Sequence, residues 1–182
     1  MTDLFSPDLT RRRSVEWQDS ATVRGNIGGW TGLEIMRGIR DGALPPPPIA
    51  RLMGFDCVVA EPGEIVMALS ADESLENPAG LQHGAVAAAL LDTAMGAALH
   101  TLLPSDKTPV TLDLHLTYMK PLTKRSGRIT ATGRVLRQGG RTAYVIGELR
   151  DEAGDLAAHA VGNFSIVATP GLAKPKDLAE SE

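Results

Sequence analysis

Residues 77–103 set the terms on which the rest of this chain can fold. From Gly84 to Leu103 the side chains are almost all Ala, Val, Leu, Met or Gly, with a single acid, Asp92, in the middle. A surface helix shows one apolar stripe, whereas this stretch is apolar on nearly every side. It predicts one long helix enclosed all round by other structure. A carboxylate enclosed there costs on the order of several kcal/mol unless partners or a water-filled pocket receive it. Asp92 is therefore the residue that most needs a functional reason. The stretch approaches the length of a membrane span, but its central acid and the alternating strands that follow, which need its apolar surface as a core, argue for a protein with no membrane segment.

At 182 residues, 43% hydrophobic and 22% charged, the chain has enough apolar surface for one sizeable core. The single Cys57 excludes an intrachain disulfide framework and reads as a small core residue. Residues 1–13 carry acids and lack the apolar run of a secretory signal, so a cytoplasmic protein is expected.

Taken in order, residues 1–30 show no clear period and predict a loosely ordered leader. Leu33, Met36 and Ile39, with Ile35 less regularly placed, then mark a short amphipathic helix that Gly42 and Pro45 stop. Pro45 to Pro48 predict an extended polyproline strut. This divides the chain into an N-terminal extension (1–48), a domain proper (49–168) and a flexible, Pro- and Lys-rich tail (169–182). Two β-prone runs flank Pro62-Gly63 as a hairpin. After the long helix, Val110, Leu112, Leu114, Leu116 and Tyr118 alternate with Thr111, Asp113, His115 and Thr117, the clearest strand pattern present. Two further strands meet at Gly139-Gly140, read as supplying the positive φ angles of a tight hairpin, and a last strand ends near residue 168. Two strands, one long apolar helix and a meander of four strands define an α+β class. The economical packing is a curved antiparallel sheet folded around the helix, with a second copy covering what stays exposed.

The spacing Asn77-x-x-Gly80-x-x-His83-Gly84, then Asp92 eight residues after Gly84, then the strand at 111–121 and the Arg137-Gln138-Gly139-Gly140-Arg141 turn resembles the hotdog-fold acyl-coenzyme A thioesterases. Within them it is most similar to the phenylacetate-pathway group related to thioesterase superfamily member 2. The likeness covers roughly residues 49–168. Ala85 departs from it, standing where the family usually has a second glycine.

The resemblance implies that the Gly84 amide polarises a thioester carbonyl. The physics agrees, since the first N–H groups of a helix are unpaired and sit at its positive end. It implies that Asp92 is the nucleophile or the general base for water, that Asn77 orients the thioester or the acid, that His83 holds the loop near the sulfur, and that Thr111 positions the attacking water. Without the resemblance, Gly84 is a helix start, Asp92 a buried structural acid, Asn77-Pro78 a turn, His83 a capping side chain, and Thr111 an ordinary strand threonine; Thr93 is a weaker candidate. Eight helical residues separate Gly84 from Asp92 by about 12 Å, too far for both to act on one carbonyl. Two antiparallel helices about a two-fold axis would bring Gly84 of one chain to Asp92 of the other, which predicts a homodimer with two shared sites. Association of two dimers into a tetramer is left open.

The net charge of −4 does not favour a polyanion, yet no acid lies between Asp113 and Glu148, where Lys120, Lys124, Arg125, Arg128, Arg134, Arg137 and Arg141 form a local basic field. By resemblance, coenzyme A lies along Arg137, Gln138, Gly139, Gly140, Arg141 and Thr142, with Tyr118 bordering the pantetheine channel; solvated strand edges guarded by positive charge are the plainer reading. His100, His115 and His159 lack ligand spacing, so no metal site and no cofactor are expected. Acidic balance and 4% aromatic residues argue against nucleic acid. The expected activity is hydrolysis of an acyl thioester. The rivals are a non-catalytic acyl-coenzyme A sensor and an acyl-thioester hydratase or dehydratase on the same fold.

Overall fold

The computed structural model describes residues 10–169. The tail beyond residue 169 lies outside the described residues. Helix α1 (Ser20–Asn26) is capped by the Asp19 carboxylate, so part of the leader expected to be loose is a helix. Helix α2 (Gly32–Arg40) starts on a capping box in which Thr31 and Glu34 satisfy each other's backbone N–H groups. The polyproline strut is shorter than expected, because Pro48 opens helix α3 (Pro48–Met53) at a position where its missing N–H costs nothing.

Strands β1 (Phe55–Glu61) and β2 (Glu64–Ser70) form the hairpin predicted around Gly63, whose φ is 76°. Helix α4 (Gly84–His100) follows, then β3 (Lys107–Thr111), β4 (His115–Tyr118), β5 (Arg128–Gln138), β6 (Thr142–Arg150) and β7 (Leu156–Ala168). All seven strands join one antiparallel sheet in the order β1-β2-β5-β6-β7-β3, with β4 also on β7. Bulges in β1, in β5 and at the start of β7 bend it around α4. This is the hotdog arrangement.

Leu90, Leu91, Met95 and Leu99 of α4 are fully buried against Ile65, Leu69, Ile129, Val145 and Leu149 of the sheet. Each such side chain contributes roughly 1.5–3 kcal/mol. The helix sits so close because Gly133 and Gly147 pair directly across β5 and β6. A methyl group on Gly133 would stand 2.3 Å from the Ala94 carbonyl oxygen. At the far end of α4, Thr101 accepts from the Gly63 N–H (2.8 Å) and donates to the Ala98 carbonyl (2.6 Å). Helix α2 packs there and on β1, with Met36 buried and Gly32 against the His100 carbonyl.

Two expectations change. The helix is not enclosed all round: Gly84, Ala88, Ala89, Asp92 and Thr93 are half-buried and Ala85 is exposed, so one face of α4 is left partly open. The strand expected through Val110–Tyr118 is broken at Leu112–Leu114. From Thr111 to His115 the chain takes four steps while its partner takes three, from Phe164 to Val161. Asp113 fills the bulge, accepting from the Asn163 backbone N–H (3.0 Å) and Nδ2 (3.0 Å), and these bonds hold its carboxyl below the usual carboxylate range. Alternation of side chains looks the same in an edge strand as in an inner one, so the pattern did not reveal that Val110 and Leu112 are exposed. Among the described residues, no helix is long and apolar enough to cross a membrane.

Candidate active site

The first turn of α4 is built by the residues that precede it. Asn77 folds the turn before the helix: its Oδ1 accepts from the N–H of Ala79 (2.9 Å) and Leu81 (3.2 Å), and its own N–H donates to the Leu81 carbonyl (2.7 Å). Its Nδ2 has no acceptor among the described residues and is available as a donor. His83 is the N-cap, and its Nδ1 accepts from the Ala85 N–H (3.0 Å). An accepting Nδ1 puts the ring N–H of the neutral form on Nε2, on an exposed side chain. The Val86 N–H goes to the His83 carbonyl (2.9 Å). The Gly84 N–H has no acceptor among the described residues. A lone N–H at the positive end of a 17-residue helix is a ready donor to developing negative charge.

Two turns further on, Asp92 is half-buried, and Thr111 at the end of β3 donates its hydroxyl to Asp92 Oδ1 (2.8 Å). The edge strand touches the helix a second time at Tyr118, whose hydroxyl donates to the Gly84 carbonyl (2.8 Å). Asn77, His83, Gly84 and Tyr118 thus gather at one end of α4, with Asp92 and Thr111 about 12 Å along it.

Behind Tyr118 lies a cavity of about 310 Å³, which Asn77, His83 and Gly84 border. Its inner wall is aliphatic: Val86, Ala87, Leu122, Ile129, Leu149 and Ala158. Gln82 also borders it, donating through Nε2 to the Asp72 carbonyl (3.0 Å), while its buried Oε1 has no hydrogen-bond partner among the described residues. Nothing in sequence spacing singled out these wall residues, because they come from five separate segments that only the folded sheet brings together.

The basic field expected between residues 113 and 148 is smaller than the sequence suggests. Lys120 is held between Asp151 (2.6 Å) and Asp155 (2.5 Å), Arg134 by Glu64 (2.8 Å), and Lys124 lies 3.6 Å from Glu73. Arg137 and Arg141, with Arg125 and Arg128, have no ion pair among the described residues. Arg137, Gln138, Gly139, Gly140, Arg141 and Thr142 form the exposed tip of the β5–β6 hairpin. Neither glycine adopts a positive φ, contrary to expectation. The turn closes instead through the Gly139 N–H on the Thr142 carbonyl (2.8 Å), and Gly139, Gly140 and Arg141 connect the two strands. Gln138, Ala143, Phe164 and Thr111 stand in one row across four strands. Three strand spacings place the hairpin tip about 14 Å from Thr111.

Comparison with known proteins bears on the fold and the family. The Thioesterase superfamily model matches residues 79–158, which include His83, Gly84, Asp92, Thr111 and the hairpin tip, while Asn77 lies two residues outside it. Human acyl-coenzyme A thioesterase 13 is 33% identical over 105 residues, covering 57% of this chain and 73% of that protein. Among solved structures, the conserved protein PA5202 of Pseudomonas aeruginosa is 28% identical and superposes with a TM-score of 0.63, covering 67% of this chain and 95% of that one. The PaaI protein of the E. coli phenylacetic acid degradation operon shares the fold at a TM-score of 0.62, with 21% identity over 66% of this chain and 85% of that one. The fold and these matches define a hotdog-fold hydrolase of thioesters. The chain belongs to the thioesterase superfamily.

Proposed function

We propose that this protein hydrolyses acyl-coenzyme A to a carboxylate and free coenzyme A in two equivalent sites of a homodimer. The observation that carries the reading is the presence, on one helix, of a Gly84 N–H with no acceptor among the described residues and a hydroxyl-oriented Asp92, too far apart to serve one carbonyl within a protomer. The half-open face of α4 and the edge formed by β3 and β4, which among the described residues pairs only with β7 and exposes Val110, Leu112 and Met119, support a second copy packed there.

In that arrangement the Gly84 N–H of one copy holds the thioester oxygen, and Asp92 of the other accepts a proton from water. The hydroxide so formed attacks the carbonyl carbon, and the C–S bond breaks as the oxyanion collapses. The thiolate leaves and takes the proton that Asp92 accepted, which restores the Asp92 carboxylate, and the product acid loses its own proton to solvent. Thr111 occupies Oδ1 of Asp92 and leaves Oδ2 for the water. The Nδ2 of Asn77 and Nε2 of His83 are the donors on offer beside the carbonyl and the sulfur. The cavity behind Tyr118 receives the acyl group: it is about twice the ~150 Å³ that takes a benzene ring and is walled by aliphatic side chains, which selects an uncharged acyl chain or ring. Arg137 and Arg141 meet the coenzyme A phosphates at the hairpin tip, with Gln138, Gly139, Gly140 and Thr142 around them. No metal or redox cofactor has a part in this chemistry.

The test is thiol release from acetyl-, hexanoyl-, lauroyl-, benzoyl- and phenylacetyl-coenzyme A. Hexanoyl and phenylacetyl groups fill the cavity and are expected to be cleaved faster than acetyl. Asp92→Ala is expected to lower kcat by about 10³-fold or more with the fold intact. Full activity in that variant, or no thiol release from any member, overturns the proposal. A single turnover in ¹⁸O-water bears on the role of Asp92: product without label shows direct attack by the carboxylate with water then entering at the aspartyl carbon, whereas labelled product arises from a general base or from an anhydride opened at the acyl carbon.

A further inference from the structure

The Gly84–Ala85 peptide is held at both ends. Its N–H, on Ala85, donates to His83 Nδ1 (3.0 Å), and its C=O, on Gly84, accepts from the Tyr118 hydroxyl (2.8 Å). These two bonds fix the plane of the first peptide inside α4; the Gly84 N–H, left unpaired among the described residues, belongs to the preceding peptide, whose His83 carbonyl accepts from the Val86 N–H (2.9 Å), and the two planes are coupled through the φ and ψ of Gly84. His83 is the local member of this clamp, one residue away. Tyr118 comes from β4, 34 residues on, where it pairs with Ala158 of β7. Gly84 itself is shaped to this contact. A methyl group there would lie 3.0 Å from the Tyr118 oxygen and 3.2 Å from the ring carbon bearing it, tighter than an ordinary contact, so the tyrosine approaches freely only because residue 84 lacks a side chain.

We infer that Tyr118 is a positioning residue for the Gly84 donor, holding the Gly84–Ala85 peptide so that the free N–H keeps one direction as charge develops on the substrate oxygen. The inference rests on the reading of Gly84 and Asp92 proposed above. A preorganised donor stabilises the transition state without reorienting during the reaction, so loss of the clamp costs turnover more than substrate binding. Tyr118 is 56% exposed, with its ring on the cavity border, and phenylalanine preserves that ring. Only the hydroxyl is then removed. The same edge strand serves both halves of the chemistry, Thr111 steadying the acid and Tyr118 the donor, but in a shared dimer site these two services go to different active sites.

That separation gives the experiment. In Tyr118→Phe, kcat with the fastest-cleaved member of the panel is expected to fall about tenfold with KM changed less than twofold. Mixed dimers carrying two different affinity tags then assign the effect. A dimer of an Asp92→Ala chain with a Tyr118→Phe chain has one site with Tyr118 and Gly84 on the first chain and Asp92 on the second, and is expected to keep about half of wild-type activity. A dimer of a wild-type chain with an Asp92→Ala/Tyr118→Phe chain carries the same substitutions, but its one site with an acid lacks the clamping hydroxyl beside Gly84. About one-twentieth of wild-type activity is expected there. Any general loss of stability is common to both mixtures and cancels. Equal activity in the two mixed dimers, or a Tyr118→Phe effect confined to KM, overturns the positioning role while leaving the shared site standing. An active Asp92→Ala homodimer overturns the shared-site reading, and this inference with it.

Discussion

The Thr111 hydroxyl donates to Asp92 Oδ1 across 2.8 Å, tying the edge strand to the middle of the central helix. Thr111 stands at the last position of β3, immediately before the bulge that Asp113 and Asn163 hold. The bulge therefore ends regular pairing just where the strand must present a hydroxyl to the helix. Thr111→Val keeps the shape and removes the bond, so kcat is expected to fall about tenfold, whereas Thr111→Ser is expected to stay within about threefold of wild type. Steady-state thiol release on both variants checks this.

Arg137 and Arg141 are the cations of the hairpin tip, with no ion pair to either guanidinium among the described residues, and in the proposed function both meet phosphate. Replacing both with Ala is expected to raise KM for a coenzyme A thioester about tenfold or more, with little change for a pantetheine thioester that lacks the nucleotide. Equal effects on the two substrates would remove the phosphate contact from the reading.

His100, at the end of α4 under α2, has its pKa pushed below the ordinary 6.5 by burial. The unfolded chain then binds a proton that the folded chain resists. The stability associated with the neutral ring is fully present above pH 6.5 and is lost as pH falls toward and through the lower folded value. Thermal melts of wild type from about pH 8 to about pH 5 are expected to show Tm falling once the pH drops below the ordinary histidine value. His100→Gln is expected to flatten that slope. An unchanged slope in the variant would assign it to other groups.

Gly133 lets the sheet touch the helix. With 2.3 Å between an added methyl carbon and the Ala94 carbonyl oxygen, and with backbone on both sides of the contact, neither element can yield cheaply. Gly133→Ala is expected to destabilise by about 3 kcal/mol, in the upper range for overpacking, measured by denaturant titration. Gly140→Ala, with nothing within 4 Å of the added carbon, is the control and is expected to be near neutral.

Much of the architecture was legible in residue order because it rests on local rules. The apolar run predicted α4, β-prone runs between turn signals predicted the other strands, and Pro62-Gly63 predicted the first hairpin, while the alternation at Val110–Tyr118 read two edge strands as one. The helix start at Gly84 and the lone acid eight residues on could be named as candidates for the same reason: helical spacing alone puts them on one rod.

What the tertiary structure decided is which distant residues meet. Thr111 reaches Asp92 across 19 positions and Tyr118 reaches Gly84 across 34, through an edge strand whose place in the sheet depends on its pairing with β7. Lys120 looked like part of a basic field until Asp151 and Asp155, 31 and 35 positions away, closed on it. Asp92 looked enclosed because composition cannot say which face of a helix the sheet covers. Local propensity acts between neighbours in the chain and can be read there, whereas the partners of an edge strand, an unpaired cation or a half-open helix face are set by packing between segments far apart in sequence.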